Sequence, residues 1–209
     1  VTGQIVIWVL LPALSESFRD DQDRFGENVR KARRILNAAG VLMVAATAIG
    51  APAFFYLLYD PRYHGAGWMV QLLMVPAWFF FMQETSIRVQ LAMGDSRHQM
   101  FSNVAKLVGT VPGALVGFWI AEVPGLIIGL SLGSFMGYGT VCYGLKQKGI
   151  PICVSDLKWT FLGLAISVLG GATPWIVGPM LGVDAQLASL VIGPIVLLPY
   201  ALYAGRPPL

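Results

Sequence analysis

The stretch LLYDPRYHGAGWM, Leu57 to Met69, separates two long apolar runs and decides how this chain folds. The run before it is ILNAAGVLMVAATAIGAPAFFY (35–56), and the run after it begins VQLLMVPAWFFFM (70–82). Such runs approach the twenty or so residues that cross a hydrocarbon layer of roughly 30 Å at about 1.5 Å per residue. Neither shows the polar face that a helix on a soluble core would have. The stretch therefore predicts the turn of a helical hairpin through a membrane.

The rest of the chain repeats this pattern of apolar blocks joined by short polar links. Hydrophobic residues make up 56% of the 209 residues and charged residues only 12%, about half the charge of a typical soluble domain. We predict an all-α polytopic bundle with six complete transmembrane helices and the end of a seventh. The six predicted spans are Ile35–Tyr59, Trp68–Leu91, Ser102–Ala121, Val123–Gly144, Trp159–Gly178 and Leu187–Ala204.

The first apolar block, Val1–Leu14, is too short to cross a bilayer by itself. The sequence opens without methionine, and no basic segment precedes Gln4–Leu11, so the block lacks the features of a signal peptide. We interpret residues 1–14 as the end of a truncated transmembrane helix, which implies a further portion upstream.

The distribution of basic residues predicts the orientation. Lys and Arg concentrate on the cytoplasmic side of membrane proteins. With the predicted spans, thirteen of the fourteen basic residues fall on one side and Arg62 alone on the other. This split places the turn at Leu57–Met69 outside the cell and the C-terminus in the cytoplasm. It also accounts for the net charge of +3 without a nucleic-acid partner.

The longest polar segment, SESFRDDQDRFGENVRKARR (15–34), is predicted to be a cytoplasmic amphipathic helix or loop. One apolar stripe runs along it, with the members Phe18, Phe25, Val29, Ala32 and Leu36. Two interpretations stay open: a helix lying on the inner leaflet, or a solvated helix whose last basic residues only fix the topology. The other predicted segments are a four-helix portion (35–145), a cytoplasmic loop (146–158) and a final helix pair with a short tail (159–209).

Glycines recur at every fourth position in two successive predicted spans. The first set is Gly109, Gly113 and Gly117, and the second is Gly125, Gly129, Gly133 and Gly137. This spacing puts each set on one helix face, where backbones can approach closely in lipid. Since only EVP (122–124) joins the two spans, we predict a tight antiparallel hairpin. The glycine face could be a static packing surface or a sliding one, and the pattern does not distinguish them.

A few polar residues near one cytoplasmic link are the candidate substrate-binding residues. Ionisable groups within membrane spans are costly and therefore candidates for function. The candidates are Gln83, Glu84, Arg88, Arg97, Asn103 and Lys106. Three interpretations stay open. The basic members could bind a phosphate or pyrophosphate headgroup, Glu84 could be a proton or cation site, or Arg88 and Lys106 could simply extend to the interface.

The sequence offers no pattern for catalysis. It has no Walker A loop, no paired-cysteine motif and no nucleophile elbow. Cys142 and Cys153 both fall near the predicted cytoplasmic face, where thiols stay reduced. His64 and His98 each lack the partners of a metal or acid–base site. We therefore predict no enzyme activity, no catalytic residue, no metal and no cofactor.

Three stretches carry a family resemblance. They are LLPALSESFRDDQDRF (10–25), LLYDPRYHGAGWMVQLL (57–73) and QLAMGDSRHQMFSNVAKLVGTVPGALVGF (90–118). In their order and spacing, they resemble the C-terminal half of bacterial oligosaccharide-lipid flippases of the multidrug/oligosaccharidyl-lipid/polysaccharide exporter superfamily. The likeness covers most of the chain.

The resemblance implies one lobe of a two-lobe transporter in the bacterial inner membrane. Such a transporter would move a polyprenyl-pyrophosphate-linked oligosaccharide across the bilayer by alternating access, for O-antigen, capsule or exopolysaccharide synthesis. Its partners would be the bilayer, the lipid-linked substrate and its own missing N-terminal half. The alternatives are a cation-coupled multidrug exporter, a polytopic polysaccharide polymerase or ligase, and a non-catalytic scaffold. The short outer turn at residues 60–67 disfavours a polymerase or ligase, which would need a large external loop.

Overall fold

The computed structural model describes Glu16 and residues 22–181 and 184–204, and the regular elements in this part of the chain are all helical. They are α1 (Gln22–Leu58), a 3₁₀ turn (Pro61–Tyr63), α2 (Ala66–Ala92), α3 (Arg97–Gln147), α4 (Cys153–Leu181) and α5 (Ala185–Ala204). The predicted all-α class is confirmed. The predicted helix end at Val1–Leu14 lies outside the described residues.

Four of these helices are long and apolar enough to cross a membrane. The segments are Arg24–Leu58, Pro61–Ala92, Arg97–Gln147 and Cys153–Thr173, and the apolar part of α5, Leu187–Leu202, is shorter. The predicted count of six complete spans is not confirmed. Two of the predicted spans lie within α3, and the last lies in the shorter α5.

Helix α3 consists of two arms, residues 97–120 and 123–147. Ala121 (φ −143°, ψ 28°) and Glu122 (φ 50°, ψ −130°) are not helical and form the turn between them. Pro124 follows, where a helix start tolerates the missing N–H. The arms are antiparallel, and the structure brings the glycines face to face in register: Gly109 with Gly133, Gly113 with Gly129, and Gly117 with Gly125.

Helices α2 and α3 both end in a left-handed glycine. Gly94 (φ 74°) and Gly149 (φ 77°) adopt a backbone conformation that residues with a Cβ rarely take. After each glycine, the next N–H bonds back to a carbonyl five residues earlier, Asp95 to Gln90 at 3.0 Å and Ile150 to Leu145 at 3.0 Å. These are Schellman motifs, which pair the terminal carbonyls and direct the chain out of the helix.

The segment predicted as a separate amphipathic helix is not separate in the structure. From Gln22 onward it forms the first turns of α1, which continues without a break to Leu58. Within its stripe, Phe25 and Val29 are 2% and 0% exposed. They pack with residues of α2 and α3, so this part of the stripe belongs to the core of the first compact unit. Phe18 lies outside the described residues.

The chain divides into two compact units, and each draws on segments distant in sequence. The first contains the described parts of Val1–Asn37 and Pro76–Leu157, and the second those of Ala38–Val75 and Lys158–Leu209. The division cuts across the predicted segments 35–145 and 159–209, because α1, α2 and α4 each contribute to both units. The core of the first unit contains Phe25, Val29, Ile87, Val89, Val141, Cys142, Leu145, Ile150 and Ile152.

In the second unit, the turn between α1 and α2 is a short polar cap. Asp60 accepts the backbone N–H of Arg62 at 3.1 Å, and Pro61 begins the 3₁₀ turn. The Tyr56 ring packs on His64 with centroids 4.8 Å apart. Gly67 lies against the backbone of Pro52, where a Cβ would come within 2.8 Å of Cα. A glycine at this position therefore lets the two helices flanking the turn approach closely.

Asp95 joins the turn after α2 to both ends of α3. It accepts hydrogen bonds from Lys148 Nζ at 2.5 Å and from His98 Nδ1 at 2.8 Å. The hydrogen bond from the Lys148 ammonium lowers the pKa of Asp95 to about 2. The charged carboxylate therefore favours the folded state above about pH 4, the ordinary Asp value, and this contribution is lost as the pH falls from there towards 2.

We expect Asp95→Asn to unfold at a lower temperature than the wild type at pH 6, and this difference to shrink between about pH 4 and pH 2.5. Thermal unfolding in detergent across that pH range measures the difference in unfolding temperature. The other carboxylates titrate in both proteins, so their effect cancels in this difference. A difference that stays constant down to pH 2.5 would contradict the assigned role of Asp95.

Candidate functional site

Six side chains from α1, α2, α3 and α4 form a buried polar cluster, which we name the Arg33–Asp156 centre. Its members are Arg33, Asn37, Thr85, Ser86, Tyr138 and Asp156. Arg33 and Asp156 are 4% and 2% exposed. All six belong to the first compact unit. A full ion pair inside helices suited to a bilayer is uncommon and often functional.

The hydrogen bonds of the centre converge on the Asp156 carboxylate. Arg33 donates to Oδ2 at 2.5 Å, Tyr138 donates its hydroxyl to Oδ2 at 2.6 Å, and Asn37 donates to Oδ1 at 2.8 Å. Both carboxylate oxygens are therefore stabilised in the charged form. A carboxylate held this way fixes the relative position of three helices.

The guanidinium of Arg33 also reaches α2. One terminal nitrogen donates to Ser86 Oγ at 2.8 Å and lies 3.4 Å from Thr85 Oγ1. Two buried atoms of the centre have no protein partner, Arg33 Nε and Asn37 Oδ1. One is a donor and the other an acceptor, and they lie four residues apart on α1. Their chemistry suits a bridging water.

The centre was not predicted from the sequence. Arg33 fell among the basic residues that, in one of two open interpretations, only fix the topology, and Asp156 fell in the predicted cytoplasmic loop 146–158. One signal was available: the four-residue spacing from Phe25 to Val29 continues to Arg33 and Asn37, and the structure buries all four. A second was that Asp156 is the one acidic residue between Glu122 and Asp184. Neither signal identifies the partner, because that depends on how distant helices pack.

Three of the predicted site residues, Glu84, Arg88 and Lys106, lie near one another, and we name them the cation cluster. Arg88 donates to Glu84 at 3.2 Å, and both side chains are partly buried. Lys106 lies over the ring of Phe80, 4.0 Å from its centroid, and Glu84 is within electrostatic reach of its ammonium group. Phe80, Glu84 and Arg88 form one column on α2 at four-residue spacing. Two cations share one anion here, so the cluster carries a net positive charge.

Gln83 does not join the cation cluster. It is fully buried and donates to Ser102 Oγ at 2.7 Å, and Ser102 donates to the carbonyl of Gly137 at 2.9 Å. This relay links α2 to both arms of α3. Gly137 leaves space for the Gln83 amide, since a Cβ there would lie 2.5 Å from its nitrogen. Gln83 therefore has a packing role in the structure.

Asn103 and Arg97 also stand apart from the cation cluster. Both are exposed. Asn103 lines an open groove of about 460 Å³ on α3, beside Gln99 and Met100. Arg97 is the first residue of α3.

Within the described residues, no group of three or more His, Cys, Asp or Glu side chains could hold a metal ion. Cys142 is buried, Cys153 is exposed, and both are free thiols.

No protein-family model, no curated protein and no solved structure matches this chain. The fold itself supports the class of an all-helical protein with several helices suited to a membrane. The flippase resemblance remains a prediction.

Proposed function

We propose that this chain is part of a membrane transporter that flips a lipid-linked oligosaccharide with a pyrophosphate headgroup across the bacterial inner membrane. In this proposal the chain forms one lobe of a two-lobe transporter, α3 crosses the bilayer twice, and the C-terminus is cytoplasmic. The sequence resemblance supports the proposal, as do the helices long enough to cross a bilayer.

The observation that carries the proposal is the cation cluster. Arg88 and Lys106 are two cations on helices suited to a bilayer, and Glu84 is the acidic residue that the described part of the chain places beside them. A partly buried excess of positive charge is costly without an anion. A pyrophosphate would supply that anion, with Arg88 offering two parallel donors and Lys106 a point charge.

The Arg33–Asp156 centre has a supporting role in this proposal. Alternating access requires lobes that move as rigid parts. A buried ion pair bridging four helices would keep this unit rigid while the cation cluster meets the headgroup.

A cation-coupled exporter is the second candidate function, because a buried carboxylate such as Asp156 could bind a coupling cation. Arg33 neutralises Asp156 in this structure, so this candidate requires the pair to open. Export of a cationic dye driven by an imposed proton or sodium gradient in proteoliposomes would select this function over the flippase.

We expect the double variant Arg88→Ala/Lys106→Ala to lose lipid flipping. Removing both cations leaves Glu84 unbalanced, and a hydrogen bond to a charged group contributes about 1.5–3 kcal/mol, so transport should fall by about tenfold or more. The assay reconstitutes the complete protein in vesicles with a polyprenyl-pyrophosphate oligosaccharide that carries a fluorescent sugar, and follows its exposure to a membrane-impermeant quencher.

The matched control for this double variant is Lys31→Ala. Lys31 is an exposed lysine whose partner is Glu27, so its loss should leave flipping unchanged. Unimpaired flipping by a well-folded Arg88→Ala/Lys106→Ala variant would refute the proposed headgroup site.

A further inference from the structure

A groove of about 680 Å³ runs between the two arms of α3, within the first compact unit. Phe101, Ala105, Met136 and Gly139 form its apolar part. Phe101 and Met136 are 56% and 38% exposed, although both are large and apolar. At 1.5 Å per residue, the groove extends roughly 10 Å from position 98 to position 105.

The groove has a polar end. His98 of the first arm and Gln147 of the second line it there. Arg97 precedes Phe101 by four residues, and Lys146 follows Gly139 by seven, so each lies on the face of its arm that lines the groove. Both side chains are exposed. Lys148, one position further along, is paired with Asp95, which also accepts a hydrogen bond from His98. With one acid against Arg97, Lys146 and Lys148, this end is net positive.

We propose that this groove binds one anionic phospholipid of the bilayer, with an acyl chain between the arms and the phosphate at the Arg97 and Lys146 end. A hydrocarbon chain fits an exposed apolar channel, and an anionic headgroup fits its basic end. This lipid would seal the outer face of the hairpin. The proposal does not depend on the proposed flippase function.

Gly139 is the residue that keeps the groove open. A Cβ there would meet no atom within 4 Å, in contrast to the packed glycines of the same arm. The space in front of Gly139 is therefore not used by the protein itself. A large side chain at this position would occupy the groove without disturbing the contact between the arms.

The test is native mass spectrometry of the detergent-solubilised protein with phosphatidylglycerol and phosphatidylcholine of identical chains. We expect the wild type to retain one phosphatidylglycerol about 30-fold more tightly than phosphatidylcholine, since Arg97 and Lys146 would each contribute about 1 kcal/mol to binding an anionic headgroup. Gly139→Trp should weaken the binding of both lipids, because it fills the channel. Arg97→Gln/Lys146→Gln should abolish only the preference for phosphatidylglycerol.

The matched control is Gly26→Trp on α1, where a Cβ also meets no atom within 4 Å. It should bind both lipids as the wild type does. Equal retention of the two lipids by the wild type, or unchanged binding by Gly139→Trp, would overturn the proposal. Displacement of phosphatidylglycerol by lower concentrations of a polyprenyl phosphate would also overturn it, since the occupant would then be a lipid of the substrate class.

Discussion

Asp156→Ala is expected to lower the free energy of unfolding by about 3–5 kcal/mol, the range for removing one partner of a buried ion pair. The substitution would leave the Arg33 guanidinium 4% exposed and without its counter-charge. It would also remove the acceptor for Asn37 and Tyr138. The measurement is equilibrium unfolding in mixed micelles, with folded yield after solubilisation as a second readout.

A double variant separates the ion pair from ordinary packing. Arg33→Met/Asp156→Leu replaces both charges with apolar side chains and leaves neither one unpaired. Because a buried pair can often be replaced this way at little cost, we expect the double variant to recover the part of the loss that comes from the unpaired Arg33 charge. The part that comes from Asn37 and Tyr138 losing their acceptor should remain. A double variant as unstable as the single one would show that the charge of Arg33 is not the cause.

An exposed ion pair of the same unit provides the matched control. Lys31 and Glu27 are 2.8 Å apart with side chains 66% and 56% exposed. Such helix-surface pairs contribute about 0.3–0.5 kcal/mol, so Glu27→Ala should barely change the unfolding midpoint. If Glu27→Ala lost as much free energy of unfolding as Asp156→Ala, burial would not be the reason for the large effect expected at Asp156.

The helical class could be predicted from the sequence because apolar block length is a local property. The continuity of α1 from Gln22 to Leu58 could not be predicted in this way. The charges of residues 15–34 marked a boundary in the sequence, yet the structure continues the helix through Arg34 into Ile35. Helix continuity here follows from Phe25 and Val29 packing on α2 and α3, which a pattern along one segment cannot reveal.

The site shows the same limit. Glu84 and Arg88 are neighbours on one helix turn, so their pairing followed from their spacing. Arg33 and Asp156 are 123 positions apart, and no periodicity relates them. Gln83 illustrates a third case: its position next to Glu84 suggested a shared site, but one step along a helix rotates a side chain by about 100°, here towards Ser102.

The close contact between the two arms of α3 makes Gly129 sensitive to substitution. We expect Gly129→Ala to destabilise the protein by about 3 kcal/mol, at the upper end for overpacking, because the added methyl meets backbone rather than a movable side chain. A Cβ at 129 would lie 2.6 Å from the carbonyl carbon of Gly113 and closer still to its oxygen. The arms would have to separate, and the contacts at Gly109–Gly133 and Gly117–Gly125 would loosen with them.

Gly139→Ala on the same arm is the matched control, since its Cβ meets nothing within 4 Å. Replacing a helical glycine by alanine in open space gains up to about 1 kcal/mol of helix propensity. The two variants make the same chemical change ten residues apart on one helix arm, so helix propensity cannot explain opposite signs. Thermal unfolding in one detergent compares them directly. If Gly129→Ala were as stable as Gly139→Ala, the arms would not be held in glycine contact, and the antiparallel register of α3 would be wrong.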